Sequence, residues 1–214
     1  MTSRPRLVLA SASPARLATL RTAGLDPEVV VSGVDEDDVG ETEPAVLALL
    51  LAQRKCAAVA GLVERRDDLG TGRVLVLGCD SVLELDGAAY GKPRDADAAI
   101  RRWHQMRGRA GLLHTGHSVR LLAPASTTRH VSALASTVVH FADIGDDEIE
   151  AYVATGEPLG VAGGFTLDGR GGPYVRAVDG DPHTVVGLGL PLLRELVGEL
   201  GIRWHHLWAA PRWP

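Results

Sequence analysis

The sequence predicts an α/β fold on a mixed sheet. Strand and helix signals alternate through the first half of the chain, later strands come in hairpin-like pairs, and no repeat or low-complexity linker interrupts the 214 residues.

Arg6 to Ala10 is a short apolar run that reads as a buried strand. Ser13 offers an N-cap and Pro14 the favoured first helical position, so a helix is expected through Arg16, Leu17 and Leu20 to a stop at Gly24. Glu28 to Val31 reads as a second strand, followed by the acidic loop Asp35-Glu36-Asp37-Asp38. Pro44 opens a second helix whose apolar stripe is read as Val46, Leu47, Leu50, Leu51 and Ala58. Arg73 to Leu77 is near-continuously apolar, as in a covered sheet, and delivers Gly78-Cys79-Asp80-Ser81 at its end. Val82 to Tyr90 reads as a hairpin around the turn dipeptide Asp86-Gly87.

Asp95 begins a helix ending near Gly108. Two long strands follow, about Leu112 to Leu122 and Val131 to Phe141, joined by Pro124 to Thr128. Asp143 or Gly145 starts a helix ending at Gly156. Ala162 to Leu167 and Pro173 to Val178 read as strands around Asp168-Gly169-Arg170-Gly171-Gly172, and a last helix covers Leu192 to Leu200. One domain is expected over 1–202. The tail at 203–214 carries Trp204, Trp208 and Trp213, expected to dock on the body or on a second subunit.

Hydrophobic residues at 45% and charged residues at 23% are ordinary for a globular chain and argue against global disorder. A formal net charge of −5 disfavours nucleic acid as the main partner, while leaving room for a small anion held by a few placed cations. Two cysteines, Cys56 and Cys79, make no disulfide framework and point to a reducing compartment. The longest apolar run, Pro44 to Ala52, is too short to span a bilayer, and Leu7 to Ala10 is too short for the core of a signal peptide. A cytoplasmic protein is expected.

Three familiar signatures are absent: the P-loop, a Gly-x-Gly-x-x-Gly after the first strand, and a Gly-x-Ser-x-Gly elbow. What remains sits at element ends. Ser11-Ala12-Ser13-Pro14-Ala15-Arg16 places free helix N–H groups, two hydroxyls and a forked cation at one point, which suits phosphate; a plain helix cap with a surface arginine is the alternative. Asp80, read at a strand's carboxyl end, can hold a divalent metal or take a proton from water, or it only turns the chain. Cys79 reads as a buried core residue. Gly91-Lys92-Pro93 aims a lysine between two backbone constraints, or is a turn with a solvated lysine. Glu36 alone reads as a solvated loop residue and Lys55 alone as an exposed helical lysine. Together, Glu36 and Asp80 with Arg16, Lys55 and Lys92 form an inventory for metal-assisted attack on a phosphate chain. Phe165 and Tyr174 either pack near a base or belong to the core.

These segments resemble the Maf-type nucleoside triphosphate pyrophosphatases, also called septum-formation Maf proteins. The carriers are Leu9 to Arg16, Val34-Asp35-Glu36, Leu51-Ala52-Gln53-Arg54-Lys55, Gly78-Cys79-Asp80-Ser81-Val82 and Gly91-Lys92-Pro93. Further on come Thr115-Gly116, Tyr152 to Pro158, Ala162-Gly163-Gly164-Phe165 and Val185-Val186-Gly187-Leu188. The resemblance implies a two-lobed Maf-like (anticodon-nuclease-like) α/β fold, with helices flanking an elongated mixed twisted sheet and a cleft between lobes. It implies hydrolysis of nucleoside triphosphates, modified ones included, to monophosphate and pyrophosphate with a divalent cation, Mg²⁺ or Mn²⁺. A cytoplasmic, often dimeric enzyme is implied as well. Functional positions carry over to Ser13, Arg16, Glu36, Lys55, Asp80 and Lys92, with Asp80 as proton acceptor and Glu36 and Asp80 toward the metal. Ser11 and Ser81 join the substrate-binding set.

Ala15 stands where the family signature often has arginine, Ser81 where one branch has threonine, and Asp168 where that branch has glutamine. These are the family's specificity positions, so the preferred base stays open. Gly187-Leu188-Gly189-Leu190-Pro191 is two residues longer than the usual Gly-Leu-Pro. Two other readings remain. A non-catalytic nucleotide-binding regulator of cell division would bind without turnover, and a general phosphatase would release orthophosphate.

Overall fold

A computed structural model describes residues 4–36, 39, 42–65, 72–124 and 126–209. The elements are β1 (Arg6–Leu9), α1 (Pro14–Thr22), β2 (Glu28–Val29), α2 (Pro44–Arg65), β3 (Val74–Leu85), β4 (Ala88–Tyr90) and α3 (Ala96–Met106). Then follow β5 (Ala110–Leu122), β6 (Arg129–Phe141), α4 (Asp146–Ala154), β7 (Val175–Asp179), α5 (Pro182–Val186) and α6 (Leu190–Glu199). They build a mixed α/β fold on a seven-stranded sheet in the order β2-β1-β3-β5-β6-β7, with β4 paired to β3.

The parallel part is small. β1 pairs with β2 and with β3, and β3, β5, β6 and β7 then run antiparallel. The expected hairpin at Asp86-Gly87 forms between β3 and β4, with both residues at positive φ, 52° and 78°. The sequence reading cut β3 short. It does not end at Leu77 but runs through Gly78 to Leu85, because β5 pairs with it continuously from Val74 to Glu84. Asp80 therefore stands in mid-strand opposite Gly116, not at a strand end.

The same strand explains an opening. On the edge away from β5, β1 covers residues 74–77 and β4 covers 83–85. Between them, residues 78–82 have no strand partner on that edge among the described residues.

Alternation along β3 sorts its side chains. One face sends Leu75, Leu77 and Cys79 into a core with Leu20 of α1 and Leu193 and Leu196 of α6. Farther along that face, Leu83 and Leu85 join a second core with Trp103 of α3, Phe141, and Ile149 and Tyr152 of α4. Ser81, with Thr115 opposite it on β5, is the polar break between the two. The other face, with Val74 and Val76, packs on α2 through Cys56, Val59 and Val63.

That helix lies unusually close to the sheet. A Cβ on Gly78 would fall 2.4 Å from the Ala52 carbonyl oxygen, and one on Gly116 2.3 Å from that of Ala48. Only glycine permits this approach. The buried face of α2 is consequently Ala48, Leu51, Ala52, Lys55, Cys56, Val59 and Val63, rotated from the expected stripe; Val46 is half exposed. By length and composition α2 could also cross a membrane, which a nine-residue apolar run did not foreshadow; here it covers the sheet.

Other differences are local. Ala162–Leu167 is not a strand: Gly163 and Gly164 take φ of 75° and 76°, and the segment opens with a 3-10 turn at Ala162–Gly164. β2 shrinks to two residues, α5 was not anticipated, and α6 starts at Leu190. The helices expected from Pro14 and Asp95 start there, capped by the Ser13 and Asp95 side chains, and of the two starts read for α4, Asp143 and Gly145, the structure takes Gly145. Cys56 and Cys79 are free and buried. In the tail, Trp204 packs against the first core, and the Trp208 ring lies over Gly24. Asp37, Asp38 and Trp213 lie outside the described residues.

His117 on β5 ties the sheet to the turn before α6. Its Nδ1 donates to the Thr115 carbonyl (3.1 Å) and its Nε2 accepts from the Gly189 amide (2.8 Å), so the ring is neutral. Burial pulls its pKa from 6.5 down to about 4. A depressed histidine contributes stability that is whole above the unfolded value and is lost as pH falls toward the folded one, here on the order of 3 kcal/mol. Urea unfolding of wild type and His117→Gln at neutral pH and at about pH 5 should show a smaller acid loss in the variant. Equal losses would place the acid sensitivity elsewhere.

Candidate active site

The gap on the β3 edge is the wall of a cleft of about 720 Å³. Ser11, Ser13, Ala15 and Arg16 line it from the loop into α1, Glu36 from the loop after β2, and Lys55 from α2. Asp80 and Ser81 come from β3, Lys92 from the turn after β4, and Asp168 from the glycine-rich loop. All ten sequence-selected positions thus face one space. Tyr174 does not line it: its ring packs on Trp103 and Tyr152. Phe165 lines the cleft and also stacks edge-on against Phe141.

The charged centre is built around Lys55. Because α2 lies against Gly78, its lysine is buried, contrary to an exposed helical position, and reaches both carboxylates. Its Nζ donates to Glu36 Oε1 at 2.6 Å and to Asp80 Oδ1. Asp80 is 6% exposed. Burial raises its pKa, Lys55 and Arg16 oppose the rise, and the nearby Glu36 charge adds to it. For Glu36, burial also pushes upward, but the hydrogen bond and charge of Lys55, with Lys92 and Arg16 beyond, outweigh it and the net shift is downward. Two adjacent carboxylates are therefore poised differently, the buried one being the better proton acceptor.

The other end gathers hydroxyls, helix amides and a guanidinium, chemistry that can receive an anion. Ser13 caps α1 through the Arg16 amide (3.4 Å), and the Ser11 hydroxyl accepts from the Ser13 amide and from Arg16 Nη1, each at 3.2 Å. Arg16 also donates through Nε to the Gly187 carbonyl (2.8 Å) and through Nη2 to Ser81 (3.1 Å). With those three contacts made, one N–H remains on each terminal nitrogen of a buried guanidinium that lines the cleft. Lys92 is exposed at the mouth, on a turn held where Gly91 accepts from Gly163 and from Arg102.

Among the described residues no three His, Cys, Asp or Glu side chains gather to enclose a metal. The two carboxylates at Lys55 fit an ion that completes its shell with substrate oxygens and water, as Mg²⁺ commonly does.

Sequence reasoning missed the supports. Glu157 accepts from the Tyr152 hydroxyl (3.0 Å), from Thr166 and from the amides of Arg170 and Gly171 (both 3.1 Å), moulding the loop that carries Asp168. These bonds bring its pKa down against a burial effect that raises it. Thr115, Thr184 and Gly187 back Arg16 and Ser81. The segments holding Thr115, Glu157 and Gly187 were among those that carry the family resemblance, but the roles of these residues, and Thr184 altogether, show only in the contacts of the folded chain.

The family described as Maf-like protein matches the chain over residues 6–200. The chain is 57% identical over 211 residues to a protein of Streptomyces coelicolor named nucleoside triphosphate pyrophosphatase, covering 98% of each. Proteins of that name from Streptomyces avermitilis and Mycobacterium ulcerans are 55% and 48% identical over 210 residues, with 97% and 96% of this chain and 98% and 97% of theirs covered.

Lys55→Met removes the cation that Glu36 and Asp80 share. Both carboxyl pKa values should then rise in a carbon-detected NMR titration, and values that stay put would dismantle this charged centre.

Proposed function

Since the chain belongs to the Maf family and is a nucleoside triphosphate pyrophosphatase, we propose that Asp80 is its general base and that the triphosphate lies across the opening of α1. The Asp80–Lys55–Glu36 arrangement, with Asp80 and Lys55 buried and Glu36 open to solvent, carries this reading. Arg16, Lys55 and Lys92 take the phosphates, with Ser11 and Ser13 donating hydroxyl protons. Asp80 accepts a proton from a water as that water's oxygen attacks the α-phosphorus. The bond from the α-phosphorus to the bridging oxygen breaks, and pyrophosphate departs with the charge that the cations stabilise. Glu36 and Asp80 would hold Mg²⁺ or Mn²⁺, which supplies further neutralisation of the phosphate chain when bound.

In this reading the fold is two-lobed, one lobe around each of the two cores, with the catalytic cleft between them. Residues 1–202 form the catalytic domain and 203–214 an appended tail. Ala15, Ser81 and Asp168 set base preference, including any preference for modified bases. The enzyme works in the cytoplasm, where free cysteines fit a reducing medium, and it pairs as a homodimer. It cleans the nucleotide pool, and a link to cell-division arrest would run through that pool.

Product analysis with canonical, methylated and other modified nucleoside triphosphates tests the reaction and ranks the bases. Monophosphate plus pyrophosphate is expected, orthophosphate would indicate a general phosphatase, and binding without turnover would indicate a regulator. Asp80→Asn should lower kcat by roughly 10²–10⁴ while nucleotide still binds. The acid limb of the wild-type rate should lie above the ordinary aspartate value of 3.8, because the base must be ionised and burial raises its pKa. A near wild-type rate in Asp80→Asn removes Asp80 from the role. Chelation should abolish turnover, and added Mg²⁺ or Mn²⁺ should restore it.

A further inference from the structure

The polar break between the two cores contains an ordered relay. Arg16 Nη2 donates to Ser81 Oγ at 3.1 Å, Ser81 Oγ and Thr115 Oγ1 lie 2.9 Å apart, and Thr115 Oγ1 is 2.9 Å from the Thr184 carbonyl. Thr184 Oγ1 in turn donates to Asp181 Oδ2 at 3.0 Å. Thr115 and Thr184 are fully buried, and Thr115 does not line the cleft.

The direction of the relay follows from counting protons. A carbonyl only accepts, so the single Thr115 proton points at Thr184. The contact between Ser81 and Thr115 must then be made by the Ser81 proton. Reversing it would leave two oxygen lone pairs facing each other at 2.9 Å in a buried site. Ser81 thus gives its proton to Thr115 and a lone pair to Arg16. It has no proton left for a phosphate, although it lines the cleft.

We propose that Thr115 is a positioning residue for the pyrophosphatase reaction, which through Ser81 holds the Arg16 guanidinium with its two spare N–H groups toward the triphosphate. Ser81 is likewise an acceptor that orients Arg16, not a phosphate donor. The proposal rests on reading Arg16 as a phosphate ligand. Anchors on three sides serve it: Ser11 on Nη1, Gly187 on Nε and the relay on Nη2. A guanidinium fixed at three points loses little further freedom when it grips an anion.

The test separates the grip from the chemistry. Binding of an α,β-methylene nucleoside triphosphate, which cannot be cleaved between those phosphates, is measured by calorimetry, and turnover of the ordinary substrate is measured alongside. Thr115→Val keeps the shape and removes the hydroxyl. It should weaken binding about tenfold, the worth of one charge-assisted hydrogen bond, and Thr115→Ser should restore it. In an Arg16→Lys background the same Thr115→Val change should have no further effect on affinity. Should Thr115→Val fail to fold, Ser81→Ala at the cleft wall reads the same relay and should weaken binding to a similar degree. Unchanged affinity in both variants, or an equal loss with and without Arg16, overturns the proposal. If Arg16→Lys leaves affinity untouched, the phosphate role of Arg16 itself fails, and the proposal with it. A loss of turnover in Asp80→Asn with affinity intact concerns only the base.

Discussion

The closeness of α2 to the sheet governs the site. At Gly78 and Gly116 the helix backbone occupies space that any side chain would need. This contact places Lys55 at the level of Asp80 and buries both. A buried ion pair is costly to desolvate and is retained only with good geometry and further partners. Here Lys55 has a second carboxylate, Glu36, on a loop with access to solvent. The arrangement is thus anchored at one carboxylate and adjustable at the other, which suits a centre that must admit a polyanion.

The second constraint is the position at which the two cores part. β3 is one continuous strand, yet its apolar residues serve different clusters on either side of Ser81. A polar pair at that boundary could be costly, because unpaired hydroxyls in a core lose hydration without return. Ser81 and Thr115 avoid this by bonding to each other, to Arg16 and to a carbonyl. The break in the core and the support of the cleft are therefore the same few atoms.

Much of this was legible in the sequence. Capping residues gave the starts of the helices at Pro14 and Asp95 and narrowed that of α4 to Asp143 or Gly145, and the Asp86-Gly87 turn gave its hairpin, because those signals are local. The order of motifs gave the ten cleft-lining positions through their resemblance to a family. What was not legible depends on distant partners. The strand was read as ending at Leu77, before Gly78, since the neighbours of Gly78 on α2 and of the residues after it on β5 cannot be read from their own segment. Lys55 looked exposed for the same reason. Gly163 and Gly164 sit in an apolar run that resembles a strand, but their positive φ breaks it. Thr115 falls in a segment that carries the family resemblance, but nothing local gives its role, which lies in Ser81 and Thr184, supplied by the chain from other elements.

The bond from Arg16 to Gly187 spans 171 positions of sequence. Ribosomes add about 5–20 residues per second, so the anchor for this arginine emerges roughly 10 to 30 seconds after the arginine itself. Through that interval α1, α2 and β3 can form, but Arg16 lacks the carbonyl that fixes its Nε, and the cleft lacks the wall that α5 supplies. On the proposed site, a nascent chain therefore carries the acid centre well before the arginine assigned to the phosphates is fixed in place. On that reading competence belongs to the finished polypeptide, since a ribosome-bound fragment ending before Gly187 lacks one wall of the cleft and one anchor of Arg16.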